Sequence, residues 1–207
     1  DLISKDIGRW FNRALRARQE ADYEALKNFT KEEAVELIEQ AEKFYQELEQ
    51  VLGKRLPTPE DIPNLPYTKK VLTESMRIYP PAWIVGRRNI EEYEIKGFKV
   101  KPMTVFLVSQ YIMHHNPKYF PQPEVFNPDR WTEEFKGELP RFAYFPFGGG
   151  PRLCIGENFA WTEGTLLLSI IAQKWKMKWI PDHPVELSLL ITLRPKNGMK
   201  MVLEKRK

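Results

Sequence analysis

The 207-residue chain predicts a mainly α fold with small β-sheets, an α+β class. Three observations carry that expectation. The first 50 residues hold none of the 17 prolines and repeat apolar side chains at helical spacing. Two stretches inside the proline-rich remainder keep a long helical pattern. Short alternating runs around Lys-Gly and Asn-Gly turn signals supply strands that are few and brief.

The elements follow in order. In "IGRWFNRALRAR", Ile7, Trp10, Phe11 and Leu15 share one side and arginines the other, which predicts a first helix. Thr30 and Glu33 stand in capping-box register for a second, with Ala34, Leu37, Ile38, Ala41, Tyr45, Leu48 and Leu52 at helical spacing and Gly53 as its stop. "LPTPEDIPNLP" cannot continue a helix, because proline lacks an amide donor, and reads as a linker loop. A third helix begins near Pro66 and runs through "YTKKVLTESMRI" until Pro80 and Pro81. "YEIKGFKV" alternates about a Lys-Gly turn, and "VFLVSQYI" reads as a buried strand or a short helix start. "ENFAWTEGTLLLSIIAQKWKM" is long and apolar and predicts a core helix, and "LSLLITLRPKNGMKMVLEK" a terminal hairpin turning at Asn197-Gly198.

These elements divide the chain into a helical front segment, residues 1–53, and a loop-rich body, residues 54–207. Charge divides it similarly: residues 1–50 carry net −4, the rest net +8. The basic residues form no stripe interleaved with aromatics, which argues against nucleic-acid binding. No apolar run approaches the roughly 20 residues that span a bilayer, and no leader opens the chain. The expectation is a soluble, cytoplasmic protein without a transmembrane segment. A single cysteine excludes an internal disulfide framework.

That cysteine, Cys154, lies in "FPFGGGPRLCIG". Glycines 148 to 150 permit a tight turn and close approach to a ligand, and Gly156 permits close packing where a helix begins. The helix dipole and nearby amides stabilise negative sulfur there, and a thiolate is either a nucleophile or a metal ligand. His114, His115 and His183 offer no spaced set for zinc. A Cys-His nucleophile would need His114 or His115 and lacks a third member. A buried inert thiol explains neither the glycines nor Arg152.

The stretch "FGGGPRLCIG", Phe147 to Gly156, matches F-x-x-G-x-R-x-C-x-G and resembles the heme-binding signature of the cytochrome P-450 superfamily. The resemblance implies heme b (iron protoporphyrin IX) as cofactor and Cys154 as the axial thiolate on its iron, a ligand that donates electron density to the metal. It also implies that Phe147 shields the sulfur, Gly156 completes the cofactor-binding set, and Arg152 pairs with a heme propionate. "ESMR" supplies Glu74 and Arg77 three apart, similar to the family's E-x-x-R pair, and "FNPDRW" supplies Arg130, similar to the third member of that network. Their implied role is scaffolding beneath the cysteine loop.

Further along the same likeness, Arg87 falls where a second propionate-binding arginine is expected, with Arg88 the competing choice. Ala82, Trp83, Ile84 and Val85, together with Ile191 and Thr192, are the implied substrate pocket; ordinary core positions are the alternative for each. "HHNPKYFPQPEVF" resembles the family's H-R-D-P segment, with His115 and Asn116 departing from it.

The likeness begins near residue 42 and covers only the family's C-terminal half. The family's distal A/G-G-x-D/E-T string, which delivers protons, does not occur here; "WTEGT" at 161–165 has a different order. A truncated chain, one part of a split protein and an engineered reduction are the open origins, and the helix-forming front points to engineering. The implied function is a heme-thiolate oxidoreductase, a monooxygenase or a peroxide-driven oxygenase, acting on small apolar organic substrates. The implied partners are an acidic redox protein and a chain supplying the missing N-terminal half. The alternative is a non-catalytic or minimised heme-binding module.

Overall fold

The computed structural model describes residues 31–180, 183 and 185–206. The helix expected around Ile7–Leu15 and the Thr30 cap lie outside the described residues. Helix α1 (Lys31–Leu52) ends where Gly53 takes a φ of 57° and returns its amide to Glu49 O at 3.0 Å. Its apolar stripe is buried only toward the C-terminus: Leu48 and Leu52 pack with Leu65 and Ala172, flanked by Phe44 and Val51, while Ile38 stays exposed.

The expected linker loop is instead partly ordered, because Pro59–Asn64 forms a 3-10 helix. Prolines deny the donors an α-helix needs, but a short i→i+3 turn needs few of them. Asp61 fixes this turn by accepting the Thr58 amide at 2.9 Å, and the Arg55 guanidinium holds its carboxyl well below the usual carboxylate range. Pro66 then opens helix α2 (Pro66–Ile78), and Glu47 of α1 caps it by accepting the amides of Tyr67 and Thr68 at 2.6 and 2.8 Å.

Strands β1 (Val85–Arg88), β2 (Tyr93–Ile95), β3 (Phe98–Val100) and β4 (Val105–Val108) form two antiparallel pairs, β1 with β4 and β2 with β3. Lys96 and Gly97, at φ 48° and 83°, make the expected two-residue turn of the second pair. The segment "VFLVSQYI" is both of its readings in succession, strand β4 and then helix α3 (Gln110–His114), capped by Ser109. The strand is not buried, however. Leu107 and Val108 are exposed, because a two-stranded ribbon brings no second layer of its own to cover them.

After the short helix α4 (Glu133–Glu138) comes α5 (Glu157–Lys174), which stops earlier than expected because Trp175–Trp179 is strand β5. Nor does α5 bury its large side chains: Thr165, Ser169 and Ala172 are buried, while Leu167 and Ile171 are exposed. Small residues let α2 come close, and a Cβ added at Gly164 would stand 3.4 Å from the Leu72 side chain. The C-terminal hairpin is also different. The turn at Gly198 exists, with φ 69°, but β6 (Leu187–Leu189) pairs with β7 (Leu193–Pro195), and β8 (Met201–Lys205) pairs with β5. The pairing of Met177 with Leu203 and Trp179 with Met201 gives β8 apolar cross-strand neighbours there. Among the described residues no helix is long and apolar enough to cross a membrane.

Candidate functional site

Cys154 stands three residues ahead of α5, on a loop closed by its own backbone. The Cys154 amide donates to Phe147 O at 3.0 Å, the Leu153 amide to Gly150 O at 3.0 Å, and the Gly148 amide to Phe145 O at 2.9 Å. Gly148 and Gly150 hold φ of 77° and 69°, left-handed values that side chains resist. Gly149 is extended, but a Cβ built on it would run into the Phe142 ring. The loop geometry therefore excludes larger residues for two separate reasons.

The thiol is exposed, as are Leu153 and Ile155, the latter at 105%. A Cβ at Gly156 would lie 3.8 Å from Cys154 Sγ, in ordinary van der Waals contact, which places this glycine next to the sulfur. Half-buried Phe147 packs its ring 5.7 Å from that of Trp161 on α5. Arg152, two positions before Cys154, is exposed, and Arg87 is exposed on β1 with Nη1 donating to Gly86 O at 2.8 Å.

Beneath the loop, the structure brings Glu74, Arg77 and Arg130 together. Arg77 donates through Nε and Nη2 to the two oxygens of Glu74, each at 2.9 Å, and Arg130 Nε donates to Glu74 Oε1 at 3.0 Å. Two donors that sequence reasoning missed complete the carboxylate, the Trp131 indole N–H and the Asn127 amide, both at 2.9 Å. The other guanidinium donors of Arg77 reach the carbonyls of His114, Pro123 and Val125. Tyr144 O–H donates to Thr73 O at 3.1 Å, tying the cysteine loop's approach to α2, and its burial beside Glu74 raises the phenol pKa above its usual range. His114, weighed in the sequence only as a zinc ligand or a nucleophile's partner, has a different place: its Nε2 accepts the Phe145 amide at 3.0 Å. Only the adjacency of Trp131 to Arg130 hinted at any of these.

The implied pocket segments are neighbours. Ala82–Val85 are half-buried. The Trp83 indole donates to Leu190 O at 3.0 Å, and the Leu193 amide donates to Pro81 O at 2.9 Å, binding this segment to the β6–β7 hairpin. Trp83 packs on the Tyr111–Leu193 cluster, whereas Ile191, 97% exposed, and Thr192 project at the hairpin tip.

Heme is a flat apolar macrocycle with two carboxylates and an iron that accepts a soft anionic ligand, and the donors present fit it. They comprise an exposed thiol on a rigid loop, uncovered apolar side chains on both sides of it in sequence, a glycine in place of a side chain beside the sulfur, and exposed guanidinium groups. No group of three or more His, Cys, Asp or Glu poised to hold a metal ion occurs among the described residues.

Comparison with known proteins gives the same direction. The family model for cytochrome P-450 matches residues 38–202. Cyclooctatin synthase of Streptomyces melanosporofaciens is 44% identical over 142 residues, 69% of this chain and 31% of that protein. Cyclooctat-9-en-7-ol 5-monooxygenase of the same organism is 42% identical over 139 residues, 67% of this chain and 30% of that protein. The crystal structure of the cytochrome P450DA heme domain is similar at a TM-score of 0.76 and 25% identity, over 84% of this chain and 39% of that one. The chain thus spans about a third of the length of the curated relatives it matches. With its α+β architecture, its cysteine loop and a family match across most of its length, the chain belongs to the cytochrome P-450 family.

Proposed function

We propose that the chain is the heme-thiolate-binding region of an oxidoreductase, a monooxygenase or peroxide-driven oxygenase, that acts on small apolar organic substrates. The single observation carrying this reading is the exposed Cys154 thiol on a loop that its own amide locks to Phe147 O at 3.0 Å. The relative named as a 5-monooxygenase supports oxygen insertion as the reaction class. Heme b, when bound, supplies the oxygen-transfer chemistry.

Each residue then has a task. Cys154 would hold the heme iron through its thiolate, and Phe147 and Gly156 would shape the surroundings of the sulfur. Arg152 and Arg87 pair with the propionates, because guanidinium and carboxylate match bidentately. Glu74, Arg77 and Arg130 hold the chain beneath the loop and take no part in bond-making. Ala82, Trp83, Ile84, Val85, Ile191 and Thr192 border the substrate. The basic body, net +8 over residues 51–207, suits an acidic electron donor.

A second reading, a non-catalytic heme-binding module, draws on the nearly complete exposure of Ile155 and Ile191, at 105% and 97%. One measurement tests both readings and a second separates them. Reduced, hemin-loaded protein treated with carbon monoxide is expected to show the red-shifted Soret band of thiolate ligation, lost in Cys154→Ala; a histidine-type spectrum in the wild type defeats both. Peroxide-driven substrate oxidation faster than that of free heme supports the enzyme, and equal turnover leaves the module.

A further inference from the structure

His114 is wholly buried and titratable, and the proposed chemistry assigns it no task. Its position is nevertheless specific. Nε2 accepts the Phe145 amide at 3.0 Å, while the carbonyl of the same residue accepts Arg77 Nη1 at 3.0 Å. Phe145 O in turn accepts the Gly148 amide, and Phe147 O accepts the amide of Cys154. A continuous set of short links therefore runs from the Glu74–Arg77 pair, through His114, into the cysteine loop.

We propose that His114 is a positioning residue that fastens the loop bearing Cys154 to the buried Glu74–Arg77 pair, acting as a neutral imidazole protonated on Nδ1. This rests on the heme-thiolate reading above. The tautomer follows from the donor: an amide N–H points at Nε2, so Nε2 offers its lone pair and the proton sits on Nδ1. Nδ1 is buried and has no hydrogen-bond partner among the described residues. The rings of Tyr144 and Phe145 flank the imidazole at centroid distances of 5.0 and 5.5 Å, and Phe120 lies at 6.4 Å. Burial, then the neighbouring His115 and Arg77, depresses its pKa to about 3, so the acceptor is retained at neutral pH.

Two substitutions separate positioning from mere packing. In His114→Gln the side-chain amide reaches the level of Nε2 and keeps an acceptor for Phe145; in His114→Asn it stops at the level of Nδ1 and strands that amide. Hydrogen exchange at the Phe145 and Cys154 amides of the hemin-loaded chain is expected to accelerate roughly tenfold in the Asn variant and to stay within about threefold of wild type in the Gln variant. The thiolate-type Soret band of the reduced carbon monoxide form should fall in parallel in the Asn variant and persist in the Gln variant. Equal behaviour of the two variants, or wild-type exchange at Cys154 in the Asn variant, overturns the positioning role. Nitrogen chemical shifts of wild-type His114 give a measurement that needs no variant: the Nδ1–H form is expected, and the Nε2–H form overturns the proposal. Absence of the thiolate band in wild type defeats the heme-thiolate reading itself, and with it any positioning role toward a cofactor, whatever the exchange rates.

Discussion

Glu74 and Arg77, one helical turn apart on α2, share two hydrogen bonds of 2.9 Å with both side chains at 0% exposure. An ion pair so far from water is stable only when its remaining donors and acceptors are met. Here they are: the carboxylate also takes Arg130, Trp131 and the Asn127 amide, and Arg77 spends its other donors on three carbonyls. One helix is thereby fixed to the irregular chain between residues 114 and 131, which no sheet or long helix organises.

Arg77→Ala removes the main partner of a buried carboxylate. The expected cost is about 3–5 kcal/mol, enough to leave little soluble protein. Arg77→Lys should recover only part of it, because an ammonium cannot fork onto both oxygens. Soluble yield and the urea midpoint measure this, and wild-type values for Arg77→Ala would mean that the pair is dispensable.

Trp131→Phe deletes one donor to Glu74 Oε2 while leaving an aromatic ring among Phe120, Phe135 and Tyr144. The loss should be about 1–3 kcal/mol, read as a lower urea midpoint at unchanged slope. An unchanged midpoint would show that the indole N–H contributes nothing to holding the carboxylate.

The depressed pKa of His114 makes stability depend on pH. With the folded value about 3 and the ordinary value 6.5, the unfolded chain binds more protons between them. The contribution is therefore complete above pH 6.5 and declines as pH falls toward 3. By pH 5 the loss is on the order of 2 kcal/mol. Urea titrations at pH 7 and pH 5 should show wild type losing about that much more than His114→Gln; parallel losses in the two proteins would contradict the assignment to His114.

The local geometry of the candidate site was legible where short motifs encode it. Glu74 and Arg77 meet by helical spacing alone, and the left-handed glycines 148 and 150 announce a turn that few other residues adopt. What escaped the sequence depends on distant contacts. Nothing in "KNGMKMVLEK" says that Met201–Lys205 prefers Trp175–Trp179 to the nearer β7, because strand propensity does not choose a partner. The apolar run of α5 suggested a core helix, yet the side chains it buries are those of Thr165, Ser169 and Ala172, and it meets Leu72 of α2 at Gly164, where small size matters more than hydropathy. His114 escaped for the same reason: its partner is a backbone amide 31 positions away.

X-ray absorption at the iron edge of the hemin-loaded chain tests the central claim most directly. One sulfur neighbour in the iron's first shell, present in wild type and missing in Cys154→Ala, is the predicted result. A first shell of nitrogen and oxygen alone, the same in both proteins, would contradict it.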